Sequence, residues 1–157
     1  MEKFQITREG YEKLKAEIDN LKNVERPNII KQIAAARELG DLRENAEYHS
    51  AKDRQGFIEA QIADLEEKFS RVEIVDVSKL SGDKVQFGAT VTLEDLDSGR
   101  KISYKIVSEF EANIDDGLIS SGSPVARALL GKKIGDEVEV KTPGGVVNYE
   151  ILAVRFV

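Results

Sequence analysis

The sequence predicts an α+β protein in two parts: an N-terminal antiparallel hairpin of long helices, then an antiparallel sheet with one short helix. Three observations carry this. Apolar residues recur at three- and four-residue spacing through the first half, alternate with polar residues in short runs through the second, and the change falls at the β-branched run Ile74-Val75-Asp76-Val77. The expected organisation is a finger over residues 1–76 with an acidic tip at 40–48, a linker over 77–82 and a globular domain over 83–157.

In the first helix Thr7 is the expected N-cap, and Tyr11, Leu14, Ile18 and Leu21 follow coiled-coil spacing. The pattern falters between Val24 and Asn28, around Pro27, where a missing backbone donor and a crowding ring predict a bend or stutter. Ile29, Ile30, Ile33 and Leu39 are expected to resume the apolar face. The second helix keeps a strict seam through Tyr48, Ala51, Gln55, Ile58, Ile62, Leu65, Phe69 and Val72. Arms of this size reach on the order of 45 Å at 1.5 Å per residue.

Gly40 is the best break between the arms, placed as the C′ residue that ends the first helix in a left-handed conformation. Asp41 and Glu44 follow at the bend. Two roles are open to them: a capping box, with Asp41 as N-cap and Glu44 three residues into the second helix, or an exposed pair of oxygen donors. A carboxylate that accepts one backbone bond keeps lone pairs for a metal, so the roles are compatible. Arg37, Arg43, Lys52 and Arg54 lie near the tip on both arms. They form either a small basic patch able to touch a phosphate backbone or ordinary solubilising charges in i,i+4 pairs.

In the second half, Ala89–Leu93, Ile102–Ile106, Val138–Val140 and Val147–Ile151 read as half-buried strands, with turns at Asp97-Ser98-Gly99 and Pro143-Gly144-Gly145. Ser123 is an N-cap, Pro124 suits the first helical position, and Gly131 ends the short helix. Gly131-Lys132-Lys133 is no P-loop, because Ala126 stands where the first glycine is needed and no Ser or Thr follows the lysine. Asp115-Asp116 lacks regular ligand spacing, and Ser121 and Ser123 have no histidine in the domain to activate them. What remains is a binding module.

Composition narrows the chemistry. The 157 residues contain no cysteine and a single histidine, His49, which removes disulfides, thiolate metal sites and cysteine nucleophiles. The net charge is -6 and acids outnumber bases in each half, 17 to 13 over residues 1–76 and 12 to 10 over 77–157. Stand-alone nucleic-acid binding needs phosphate-neutralising bases and is not expected. No apolar run spans a bilayer and Met1-Glu2-Lys3-Phe4 opens no signal sequence, so a cytoplasmic protein without membrane partners is expected.

Three segments together carry a resemblance. They are Gly40-Asp41-Leu42-Arg43-Glu44-Asn45-Ala46-Glu47-Tyr48-His49, the run Leu118-Ile119-Ser120-Ser121-Gly122-Ser123-Pro124-Val125-Ala126-Arg127-Ala128-Leu129-Leu130-Gly131-Lys132, and Thr142-Pro143-Gly144-Gly145. In order and separation they resemble the bacterial Gre transcript-cleavage factors, a family of transcription elongation factors, over nearly the whole chain. Arg43 stands where that family also uses small polar residues or lysine.

The resemblance implies an FKBP-like second domain that docks on bacterial RNA polymerase, with Ser123, Pro124 and Arg127 as the expected docking residues. It implies that the finger enters the polymerase's secondary channel and stimulates the polymerase's own cleavage of a backtracked RNA 3′ end. Asp41 and Glu44 match the acidic pair of that task and are expected to share Mg²⁺ with the polymerase, the isolated chain holding no cofactor and being no enzyme itself. Arg37, Lys52 and Tyr48 are the expected contacts to RNA or polymerase, Tyr48 also being a packing residue of the seam. Three alternatives stand beside this: a related factor that inhibits polymerase through the same channel, a peptidyl-prolyl isomerase, and a coiled-coil adaptor or chaperone.

Overall fold

The computed structural model describes residues 2–157, which divide into two compact units. The first comprises residues up to Lys3 together with Glu12–Val72, and the second Phe4–Tyr11 with Glu73–Val157. The division differs from the expected finger at 1–76. Strand β1 (Phe4–Thr7) pairs with β2 (Val72–Val75), so the N-terminal strand and the first helical turn group with the sheet-bearing unit. The expected linker at 77–82 is partly ordered as a 3₁₀ turn over Val77–Lys79, capped by the Asp76 carboxylate.

Helix α1 (Arg8–Asn20), which belongs to the first unit from Glu12 on, runs into a π-helical turn at Leu21–Glu25, then α2 (Arg26–Arg37); α3 (Ala46–Ser70) forms the other arm. Ion pairs join the two arms, Lys22 with Glu66 at 3.2 Å, Glu25 with Arg54 at 3.7 Å and Arg26 with Glu59 at 2.7 Å. Leu14, Ile18, Leu21, Ile29, Ile33 and Ala36 from one arm, and Ala51, Ile58, Ile62 and Leu65 from the other, are buried.

The π turn is the stutter expected near Pro27. Proline cannot donate to the ladder, and its ring crowds the carbonyl four residues back. The turn widens instead, with the Arg26 backbone N–H donating to Leu21 O, five residues back. Leu21 and Ile29 are separated by one residue more than a heptad, and the π turn absorbs the surplus so that both stay in the seam. Three expected seam residues fall outside it: Ile30 is 51% exposed, Leu39 is 65% exposed, and Val72 lies in β2, beyond the end of α3 at Ser70. Only one of the neighbours Ile29 and Ile30 can point inward, and the helix has ended before Leu39, leaving Ala36 as the last buried position.

The second unit is built on a five-stranded sheet of order β5-β4-β3-β7-β6, with β3 Thr90–Asp95, β4 Lys101–Val107, β5 Leu118–Ser120, β6 Glu137–Thr142 and β7 Gly145–Arg155. It is mixed rather than purely antiparallel, because β5 runs parallel to β4. The helix α4 (Pro124–Leu129) buries Ala126 and Leu129 in a core with Val85, Val91, Leu93, Ile106 and Ile151. Gly99 (φ 73°) closes the β3–β4 turn in a backbone conformation that favours glycine.

The start of the first helix, up to Tyr11, lies within this unit. Thr7 caps α1 by accepting from Gly10 N–H at 3.1 Å. The Glu111 carboxylate accepts from the Thr7 hydroxyl, from Thr7 N–H at 3.3 Å and from the Ser108 hydroxyl at 2.8 Å. Glu111 is thus held by strand end and helix start together.

Candidate functional site

Helix α2 ends at Arg37 because the chain leaves helical geometry after Glu38, whose N–H still reaches Ala35 O and Ala36 O. Gly40 follows at φ 133°, open on all sides, two positions beyond Glu38 rather than at the expected C′. The chain then makes a turn in which Glu44 N–H donates to Asp41 O at 3.3 Å and Arg43 N–H donates to Asp41 Oδ1 at 2.9 Å. This Asx arrangement fixes the Asp41 side chain at the head of the turn.

The capping box does not form. Helix α3 begins at Ala46, and its N-cap is Asn45, whose Oδ1 accepts from Tyr48 N–H at 3.0 Å. The Asn45 amide also donates to Ala36 O, which accepts as well from Leu39 N–H at 3.1 Å, at the end of the opposite arm. One side chain therefore caps α3 and bonds across to the end of the opposite arm, clamping the arms together at the tip. An aspartate at 45 would cap equally well but lacks the donor for Ala36. With Asn45 in that role, Glu44 has no capping duty, and its carboxylate and that of Asp41 are both exposed. Leu39, Asp41, Glu44, Asn45, Ala46 and Glu47 together line a shallow recess at the tip.

The other expected contact residues are placed unevenly. Arg37 lies over the Tyr48 ring, 5.7 Å from its centroid, and Tyr48 meets His49 edge-on at 5.6 Å. Lys52 is exposed and reaches back to Gln55 Oε1 at 3.1 Å. Arg54 is turned down the arm to Glu25, away from any tip cluster. In the second unit, Ser123 caps α4 by accepting from Ala126 N–H at 3.2 Å, while Pro124 and Arg127 are exposed on that helix. The residue that sequence reasoning missed is Asn45. Its signal was present, since asparagine is as good an N-cap as aspartate, but Asp41-x-x-Glu44 competed for the same helix start.

Magnesium fits the exposed donors as a partial ligand set. It prefers carboxylate oxygens and water and is commonly held by one or two carboxylates, the rest of its shell coming from elsewhere. Asp41 retains Oδ2 beyond its bond to Arg43, and Glu44 is one turn-length away on the same exposed bend.

Comparison with known proteins matches both halves of the chain. Residues 4–74 match the family model described as "Transcription elongation factor, N-terminal", and residues 80–156 that described as "Transcription elongation factor, GreA/GreB, C-term". The chain is 56% identical over 157 residues to transcription elongation factor GreA of Phenylobacterium zucineum, covering 100% of both chains. It is 58% identical over 156 residues to the GreA of Beijerinckia indica subsp. indica, covering 99% of each. Among solved structures, it is similar to GreA factor homolog 1 of Thermus thermophilus at 31% identity, covering 98% of this chain and 99% of that one, with a TM-score of 0.45. No described helix is long and apolar enough to cross a membrane. Two adjoining family models that together take in almost every residue, and relatives matched end to end at more than half identity, make this chain a member of the GreA/GreB family of transcription elongation factors.

Proposed function

We propose that this elongation factor binds bacterial RNA polymerase, presents the hairpin tip to the polymerase's catalytic centre through the secondary channel, and stimulates the polymerase's own cleavage of backtracked RNA. The observation that carries the reading is that Asn45, not the acidic pair, caps α3, which leaves Asp41 and Glu44 exposed at the turn. An acid pair spent on capping would have little to offer a partner. Here the fold of the tip is completed without either carboxylate as a helix cap.

Asp41 and Glu44 supply oxygen ligands toward magnesium shared with the polymerase. When bound there, magnesium supplies Lewis acidity toward a phosphoryl oxygen and lowers the pKa of a ligated water. The turn that holds Asp41 Oδ1 against Arg43 N–H orients the carboxylate before binding, which lowers the ordering cost at the moment of contact. Bond cleavage belongs to the polymerase, and the factor is an activator rather than a nuclease. Pro124 and Arg127, held outward by the Ser123 cap, contribute to docking.

The test is a halted, backtracked elongation complex incubated with magnesium and the full chain. Wild type is expected to shorten the RNA 3′ end, and Asp41→Ala and Glu44→Ala to bind the polymerase but fail to do so. Normal cleavage by both variants overturns the acidic-pair mechanism. Inhibition of synthesis by wild type without cleavage places the chain with channel-binding inhibitors instead.

A further inference from the structure

One flank of the hairpin carries a feature that neither helix packing nor the tip requires. Phe57 on α3 is 79% exposed, although it lies one position from the buried seam residue Ile58. Beside it is a groove between the arms, lined by Leu21 and Glu25 of the π turn on one side and by Asp53, Phe57 and Ile58 on the other. The groove sits where the π turn widens the first arm, and its floor is the apolar seam itself.

Its rim is acidic. Glu17, Glu25 and Asp53 line it against a single cation, Arg54, which is paired with Glu25 at 3.7 Å. Neither Glu17 nor Asp53 has an ion-pair partner among the described residues. An exposed phenylalanine beside an apolar floor, ringed by unneutralised carboxylates, has the polarity of a seat for an apolar side chain flanked by lysine or arginine.

We infer that this groove is a second contact surface of the hairpin, taking a cationic amphipathic protein segment that buries an apolar residue against Phe57 and Leu21 and sets its basic side chains on Glu17 and Asp53. The inference rests on the proposed function for the identity of the partner, an element of the polymerase along the hairpin's path. Charge decides against two other occupants. A nucleic-acid backbone meets like charge at this rim, and a second copy of a chain with net charge -6 carries an excess of the same sign.

The experiment measures direct binding of the fluorescently labelled full chain to RNA polymerase, as wild type, Phe57→Ser, and Glu17→Gln with Asp53→Asn. Phe57→Ser is expected to weaken binding about tenfold or more. The double carboxamide variant is expected to weaken it at low salt and to flatten its salt dependence. Unfolding temperatures should match wild type, since Phe57 is exposed and the two acids are unpaired. Wild-type affinity in Phe57→Ser overturns the inference, as does sedimentation showing a wild-type dimer that Phe57→Ser dissolves. If wild type does not bind polymerase, the functional reading has failed and the groove is tested alone with a helical Leu/Lys peptide. Equal affinity of that peptide for wild type and Phe57→Ser then overturns the inference too.

Discussion

The guanidinium carbon of Arg37 lies 5.7 Å from the centroid of the Tyr48 ring, joining the last residue of α2 to the first turn of α3. A cation at the C-terminal end of a helix is favoured by the helix dipole, and the ring face adds a second attraction across the arms. Double-mutant analysis with Arg37→Ala and Tyr48→Leu should give a coupling of ~0.5–1 kcal/mol, the range for an exposed cation–π pair. Strictly additive effects would show that the pair does not hold the tip.

Asn45 should matter more to the tip than either acid. Asn45→Ala removes the α3 cap and the bond to Ala36 O and should destabilise the hairpin by ~1–2 kcal/mol in urea denaturation. Asn45→Asp, which keeps the cap alone, should fall between that variant and wild type. If the aspartate variant is as stable as wild type, the cross-arm bond contributes nothing.

Asp41→Ala and Glu44→Ala should change stability by no more than about 0.5 kcal/mol, as exposed positions usually do, while removing stimulated cleavage. Thermal unfolding and the cleavage assay on one preparation separate the two effects. A large loss of stability in Glu44→Ala would reveal a structural duty for that carboxylate.

Glu59 gives the hairpin an acid sensitivity. Its carboxylate accepts from Arg26 Nε at 2.7 Å and Nη2 at 2.8 Å, and this hydrogen bonding, with the charge of Arg26, lowers its pKa below the ordinary glutamate value. A lowered folded-state pKa contributes stability that is full above the unfolded value and is lost as pH falls through the folded one. Hairpin melting temperature should therefore decline as pH drops below the ordinary carboxylate range. Glu59→Gln should flatten that decline; an unchanged profile would assign the acid sensitivity elsewhere.

Gly10→Ala is expected to destabilise, against the usual gain of about 1 kcal/mol for that change within a helix. A Cβ at Gly10 overlaps the Glu111 carboxylate, which must move and so leave Thr7 and Ser108 without it. The expected cost is ~1–3 kcal/mol in chemical denaturation, and Glu111→Ala should show a similar loss. A stabilised Gly10→Ala would mean that the carboxylate relocates freely.

The hairpin was legible because the seam from Tyr48 to Leu65 has no break, so period alone names the buried face. Near Pro27 period fails, since a π turn shifts the frame by one and Ile29 and Ile30 compete for the same inward position. Strands β1 and β5 were not foreseen. Phe4-Gln5-Ile6-Thr7 is four residues long and is ordered by β2, far away in sequence, and Leu118-Ile119-Ser120 is three residues ordered by β4. At the tip, Asp41 and Glu44 stood out by residue type, but which residue starts α3 depended on a carbonyl from the other arm, Ala36, that no local pattern names.

The π turn also governs which way the acids look. In an uninterrupted helix every added residue swings all that follows by ~100°. The surplus residue between Leu21 and Ile29 is instead taken up within a few positions, and Ile29, Ile33 and Ala36 keep the bearing set by Leu14 and Leu21. The compass heading of Asp41 and Glu44 is thereby insulated from an odd-numbered arm. Removing Val24 while the turn reverts to ordinary helix would leave them aimed as before, whereas removing a residue from Ile29–Ala36, where no such slack exists, would swing them by more than a quarter of a revolution.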